Sequence, residues 1–386
     1  MDRTERAAFL ALNTIFGFEP AAGHRLLGEI GSACAVFELS GRELRDLLGV
    51  DSHLPMQIRQ SDLCKAMDEL DRIEDRGYSF ICYGEEGYPG LLLECPDAPL
   101  GLYLRSSSPA TEIFREDRPK IAIVGTRDIS HYGSEWCVRL VEALSRSAAK
   151  PLIVSGLALG TDITAQRTAL EDGLPTVAVM ATGVDRVYPP QHEWSAQEIA
   201  SSPGSGLITD YPVGTAPKAV HFVRRNRIIA GICNALVLVE SKIRGGGMIS
   251  ARLAASYDRE VYAIPGRIDD HRSSGCNLLI RERTAEPVTD MDDFISQLGL
   301  GSPVSKTQPL NLGDRVRKVF AGYTAANRLA DTALMIKSHR GIGIGELSTR
   351  LCVGYGEASA LVRMLESEGF VVTDLFGNCR INAKKG

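Results

Sequence analysis

From Lys120 onward the chain repeats a pattern that few folds accommodate: a short, almost uninterrupted apolar segment, then a stretch with helical periodicity. The apolar segments are Ile121–Val124, Leu152–Ser155, Thr176–Met180, Leu207–Thr209, Leu236–Val239 and Val261–Ile264. Helical spacing fills the intervals at about 132–148, 162–172, 191–200, 224–233 and 247–258. A strand wetted on one face alternates apolar and polar residues, so a continuous apolar run means burial on both faces. Strands of that kind separated by helices predict an α/β, doubly wound, Rossmann-like parallel sheet. In such a sheet ligands bind beyond the carboxyl ends of the strands, so function is sought in the residues that follow each strand.

The flanks read differently. Over residues 1–80 the apolar positions Phe9, Leu12 and Phe16, then Leu26, Leu27 and Ile30, then Leu63, Met67, Leu70 and Ile73 fall on helical faces, broken at Gly17–Pro20, Gly31-Ser32 and Ser40-Gly41. This predicts a small helical module, SAM-like or helix-hairpin-helix-like, suited to DNA, protein contact or scaffolding. Tyr88-Pro89-Gly90 and Pro96-Asp97-Ala98-Pro99, then Leu102-Tyr103-Leu104, read as an extended strap approaching the sheet. The core is expected over 81–298, a Gly/Ser/Pro-rich linker over 299–312, and a last module over 313–386. There, helices at about 327–338, 344–351 and 356–368 precede Val371–Thr373, a Phe376-Gly377-Asn378 turn and Cys379–Ile381. That is a winged-helix outline, but its third helix carries Glu357, Glu366 and Glu368 against Arg363 alone. Such a face repels phosphates, so the module is expected to contact protein rather than DNA.

Charge narrows the choice of ligand site. The net charge is −5, so any nucleic acid must be held by a local basic patch rather than a basic domain. One such patch is the segment Lys218 to Gly231, where Phe222 runs into Arg224-Arg225-Asn226-Arg227 and then Ile228-Ile229-Ala230. Alone, it suits the solvated start of a buried helix as well as a phosphate site. After the fourth strand of a parallel sheet it lies on the same rim as Gly125-Thr126-Arg127, Ser155-Gly156 and Gly245-Gly246-Gly247, which favours phosphates flanked by stacked bases. Asp162 reads as a first-turn or capping carboxylate, and Asp185 as the acceptor of a Gly-Val-Asp-Arg-Val-Tyr-Pro turn.

Several classes lose support. The first strand is followed by Gly125-Thr126-Arg127-Asp128, not a G-x-G-x-x-G, and no Gly-Lys-Ser or Gly-Lys-Thr follows a strand. The seven histidines show no His-x-x-x-His spacing, and the nine cysteines no Cys-x-x-Cys, so neither a zinc site nor a disulfide framework is expected. No apolar run is long enough to span a bilayer and no secretory segment is present, so a soluble, cytoplasmic protein without membrane contact is expected.

These residues, in this order, resemble the DNA-processing protein A family (DprA, also called Smf). The resemblance is carried by Ile121–Arg127 with Tyr132-Gly133, Ile153–Ala158 with Gly160 and Asp162, and Val184-Asp185 with Tyr188-Pro189. It continues through Phe222 with Arg225–Gly231, Ala263–Gly266, and Gly275-Cys276-Asn277 with Leu279-Ile280, spanning about 88–290. It implies a Rossmann-like, homodimeric single-stranded DNA-binding protein that protects incoming DNA and helps load the RecA recombinase in natural transformation. It implies no catalytic activity and no cofactor. Carried onto this chain, the DNA site comprises Arg127, Ser155, Gly156, Phe222, Arg225, Asn226 and Arg227. The physical reading adds Lys218 and the turn with Gly246 and Gly247. The chain departs from the usual pattern at Gln166, Thr209-Asp210, Arg267 and Arg283-Thr284. The rival from the enzyme class is a nucleotide-processing phosphoribohydrolase, supported by the Gly245–Gly247 loop before a helix. Against it, Met248-Ile249-Ser250-Ala251 supplies no carboxylate where that family has a catalytic Glu. An adaptor reading places function in the acidic tail instead.

Overall fold

A computed structural model of the protein describes residues 1–301, 312–339, 341–374 and 377–382. These residues form two compact units, one on each side of 302–311. Most of the expected linker, and Phe376 of the expected terminal turn, lie outside the described residues.

The first unit is built on a nine-stranded sheet. Its strands are β1 (Tyr78–Cys82), β2 (Gly101–Arg105), β3 (Lys120–Val124), β4 (Leu152–Ser155), β5 (Thr176–Val179), β6 (Gly206–Thr209), β7 (Ala235–Leu238), β8 (Glu260–Ala263) and β9 (Glu286–Pro287). They lie in the order β1-β2-β6-β5-β4-β3-β7-β8-β9. From β6 to β9 every neighbouring pair is parallel, whereas β1 and β2 pair antiparallel and β2 joins β6 antiparallel. The chain therefore runs from β3 outward to β6, then returns across the sheet to place β7 on the other side of β3. That return makes a crevice between the carboxyl ends of β3 and β7, the place where an open α/β sheet holds a ligand.

The apolar strand runs are explained by cover on both faces. Ala122, Val124, Val154, Val177, Leu236 and Leu238 pack on one side against Ile228, Ile229 and Ile232 of the helix Ala219–Ile232 and against Met248 and Ala251 of the helix Gly246–Ser256. Their alternates Ile121, Ile123, Ile153, Ala235 and Val237 pack on the other against Leu140 and Leu144 of the helix His131–Arg146 and Ala165 and Ala169 of the helix Thr161–Glu171. The helices His131–Arg146, Thr161–Glu171 and Gly246–Ser256 lie within two residues of the sequence expectation, whereas the arginine helix begins at Ala219 rather than at 224, and the helices Ser274–Arg281 and Met291–Gln297 were not expected. The hairpin strand β1 and the short β9 add to it.

Six short helices between Arg3 and Asp75 precede β1. Their apolar faces share one cluster with Phe80, Cys82, Leu100 and Tyr103, so the helical residues close over the β1–β2 edge of the sheet inside the same unit. Asn13 binds across this seam, its amide nitrogen donating to Asp210 O at 2.9 Å and its oxygen accepting from Gly101 N at 3.1 Å. His24 does the same, its Nε2 donating to Ala98 O at 2.7 Å. Burial holds the His24 ring below the usual histidine range, with the Ala98 carbonyl opposing the shift. Its folded pKa is depressed, so the unfolded chain takes the proton first as pH falls. Stability from this residue is present at neutral pH and declines from the ordinary histidine pKa downward. Thermal unfolding followed from neutral pH to mildly acid pH should show a falling midpoint, and His24→Gln should flatten that slope.

The second unit contains helices Leu312–Val319, Ala326–Ser338, Ile344–Arg350 and Tyr355–Ser367. A small antiparallel sheet has β10 (Ile342–Gly343), β11 (Val371–Thr373) and β12 (Asn378–Ile381) in the order β10-β12-β11. Leu329, Ile336, Leu347, Leu361, Val362, Leu365 and Phe370 fill its core. The helix Leu312–Val319 is one the sequence reading did not place. No described helix is long and apolar enough to cross a membrane.

Candidate nucleic-acid interface

The crevice between β3 and β7 is shaped by three loops that converge on Gly125. Thr126 N donates to Glu240 O at 2.7 Å, and Thr126 O accepts from Thr161 N at 3.1 Å. A Cβ at residue 125 would lie 2.3 Å from Thr161 Oγ1 and 2.9 Å from Glu240 O, so only glycine lets the loops close to this distance. Glu240 is fully buried, and its two oxygens accept from Ser130 N at 2.7 Å and Ser130 Oγ at 2.6 Å. This carboxylate is committed to holding the loop that carries Arg127.

The resulting cleft has a volume of about 470 Å³. Arg127, Phe222, Asn226, Lys242, Arg244 and the Gly245–Gly247 turn line it, with Asp162 and Arg225 at its floor. Arg127 is exposed, and its guanidinium carbon sits 5.2 Å from the Phe222 ring centroid. Tyr188 stands edge-on to the same ring at 5.3 Å and is itself 42% exposed, which extends the aromatic surface. Lys242 and Arg244 are exposed. Among the described residues, neither they nor Arg127 has a side-chain hydrogen bond or ion pair within the protein. Gly246 opens an eleven-residue helix whose N-cap, Gly245, offers no side-chain acceptor, so its first-turn amides and positive dipole end meet the cations. Three unpaired cations, an aromatic pair and a helix start suit a chain of phosphates with unstacked bases.

The arginine run does not act as one patch. Successive helical residues are rotated by about 100° (3.6 per turn), so adjacent arginines face different neighbours. Arg225, 4% exposed, points beneath the cleft and donates to Gly156 O at 2.7 Å and to Val179 O. Burial pushes its pKa down to about 10, with the charge of Asp162 opposing the shift. Burial likewise raises the Asp162 carboxyl, opposed by Arg225 and by the Gly156 N–H donated at 3.1 Å. Arg227 faces the opposite way, forming a buried ion pair with Asp210 at 2.5 Å and donating to Asp97 O. Arg224 stacks on Phe18 at 4.3 Å and donates to Phe18 O at 3.0 Å and to Gly17 O. Asn226 does line the cleft, and among the described residues its amide makes no side-chain hydrogen bond within the protein.

The other expected site residues divide similarly. Ser155 is fully buried, its Oγ donating to Ile123 O at 2.6 Å. Gly156 lies behind the cleft, where a Cβ would stand 2.3–2.5 Å from the Arg225 guanidinium. That guanidinium is held by two carbonyls and would have to give up those bonds to make room, so Gly156→Ala should cost about 1–3 kcal/mol, read as a lower urea midpoint. Lys218 is exposed at the N-cap of the helix Ala219–Ile232, outside the residues that line the cleft. Gly246 and Gly247 line it directly. Asp185 accepts from Gly214 N at 2.8 Å, a donor in the loop after β6 rather than in its own turn as the sequence suggested. Gln166 is buried, its oxygen accepting from Leu157 N at 3.1 Å and its nitrogen donating to Val177 O at 3.2 Å. Lys242 and Arg244 lie in the segment Glu240–Gly247 that follows a buried strand on the rim, but the sequence did not single them out from its glycine triplet. Among the described residues, no group of three or more His, Cys, Asp and Glu is arranged to hold a metal.

Residues 79–299 match the family described as DNA recombination-mediator protein A. The chain is 31% identical over 301 residues to the Smf protein of Synechocystis sp., spanning 78% of this chain and 74% of that one. It is 35% identical over 213 residues to the DNA processing protein DprA of Streptococcus pneumoniae, spanning 55% and 72%. Among solved structures, DNA processing protein A of Streptococcus pneumoniae aligns with a TM-score of 0.64 and 28% identity over 77% of this chain and 98% of that chain. The Helicobacter pylori protein, solved to describe its single-stranded DNA binding mode, aligns with a TM-score of 0.51 and 28% identity over 57% and 95%.

Proposed function

Because the chain belongs to the DNA recombination-mediator protein A family, we propose that it binds single-stranded DNA in the switch-point cleft and acts in DNA processing during transformation. The observation that carries this reading is the unpaired Arg127 stacked on Phe222, facing Lys242, Arg244 and the helix start at Gly246 across one cleft. Phosphates pair with the three cations and accept from the helix amides, while bases stack on Phe222 and Tyr188. The relative from Helicobacter pylori, described as a single-stranded DNA binder, supports the same ligand class. Arg225, Arg227, Ser155 and Gly156 contribute in this reading by holding the rim in shape, and Lys218 by long-range attraction.

The protein holds its strand without altering it. Among the described residues, Asp162 is the one carboxylate that lines the cleft, and it accepts from Gly156 N beside Arg225, while Glu240 behind it holds Ser130, so neither is set out as a free general base for a phosphoribohydrolase reaction. A recombination mediator passes its strand to a recombinase, so RecA is the proposed downstream partner, and the working form is a cytoplasmic homodimer. The second unit, winged-helix-like in outline, is proposed as a protein-contact module.

Fluorescence anisotropy with labelled oligonucleotides tests the central step. The wild type should bind single strands in preference to duplex, with affinity falling steeply as salt rises. Phe222→Ala should weaken binding by about tenfold, given about 1–3 kcal/mol per stacked base. Equal affinity of the variant and wild type would remove Phe222 from the site.

A further inference from the structure

A second concavity of about 550 Å³ adjoins the cleft on the side of the N-terminal helices. Val223 and Ile249 line both, so they form the sill between them. We propose that this groove is a second nucleotide subsite, through which the same single strand continues after leaving the cleft, with a base against Phe18 and a phosphate on Arg25. The inference rests on the cleft reading above.

Three large apolar side chains face water along this path: Phe18 at 56% exposed, Val223 at 50% and Ile249 at 38%. Phe18 is held rather than loose, because Arg224 stacks on it at 4.3 Å and donates to its carbonyl at 3.0 Å. A rigid ring offering an open face is what a base requires for stacking. Arg25 is exposed and lines the groove. Among the described residues its side chain has no hydrogen bond or ion pair. The opposing carboxylates are Glu19, at the rim, and Asp97, which accepts the Tyr257 hydroxyl at 2.7 Å.

Continuity selects the occupant. A strand seated in the cleft delivers its next nucleotides to the groove already tethered, so a modest contact gains from a high effective concentration. It also brings a flat apolar face and an anion together, matching Phe18 and Arg25. A peptide of apolar residues alone would leave Arg25 without a counter-charge.

The test is anisotropy with an oligo-dT length series on the full chain. For the wild type, affinity should rise again once the oligonucleotide outgrows the cleft. Phe18→Ala and Arg25→Glu should each erase about tenfold of that gain while leaving the shortest binding oligonucleotides unaffected. Arg25→Ala should lower the salt slope by about 0.7 for long oligonucleotides only. Phe18→Ala also removes the seat of Arg224; the Arg25 variants disturb no contact in the fold and keep the test valid if that protein unfolds early. A wild type without length gain, variants that bind long strands like wild type, or variants weakened equally for short and long strands would each overturn the proposal. Failure of wild type to bind any oligonucleotide would overturn the cleft reading itself, and this one with it.

Discussion

Replacing Arg127, Lys242 and Arg244 together with alanine lowers affinity for oligo-dT by about two to three orders of magnitude and leaves the unfolding midpoint where it was. The three side chains are exposed, line one cleft and have no hydrogen-bonded partner among the described residues, so their removal costs the fold no hydrogen bond or ion pair, only the exposed contact of Arg127 with the Phe222 ring. A hydrogen bond to a charged group contributes about 1.5–3 kcal/mol, and even about 1 kcal/mol each gives a loss of more than a hundredfold. Each lost phosphate contact also reduces counterion release, so the slope of log affinity against log salt should flatten by about 2 for the triple variant. The loss should be alike for all base sequences, because phosphates carry none of the sequence information. Anisotropy titrations at several salt concentrations, beside thermal melts, check every part of this.

Arg227→Ala acts on a different quantity. Arg227 and Asp210 form an ion pair whose side chains are 7% and 3% exposed, and the arginine also holds Asp97 O. Removing one partner strands a buried charge and should cost about 3–5 kcal/mol. Asp210→Asn should cost a similar amount, whereas the double change Arg227→Met with Asp210→Leu should recover much of it, since well-packed apolar replacements of buried pairs are often tolerated. Urea denaturation of the four proteins makes the comparison. The result bears on DNA-binding assays too: lost binding in an Arg225 and Arg227 double replacement reports a damaged fold before it reports a missing phosphate contact.

That contrast shows where the sequence was readable. The continuous apolar runs at Ile121–Val124 and Leu236–Val239 carry their own explanation, because burial on both faces leaves no polar position. The parallel sheet and its functional rim followed from them. Which arginines stay free was not legible, since it depends on the acceptors each one meets. Arg225 finds Gly156 O, and Arg227 finds Asp210 from β6's end, contacts between residues distant in sequence. Lys242 and Arg244 were obscured for the opposite reason: they sit in a short loop with no periodicity, and only the crossover from β6 to β7 sets them opposite Arg127. Phe18 looked like part of a turn between two helices. Its place beside the core comes from the closure of the N-terminal helices over β1 and β2, long-range packing that a local pattern does not encode.

The central claim is that the strand lies in the cleft between β3 and β7. Photo-cross-linking with an iododeoxyuridine-substituted oligonucleotide, followed by peptide mapping, tests it most directly. The account predicts cross-links in peptides carrying Phe222, Tyr188 or the Lys242–Gly247 loop, lost when the single strand is competed away. Cross-links confined to residues 312–382, with none on these elements, would contradict it.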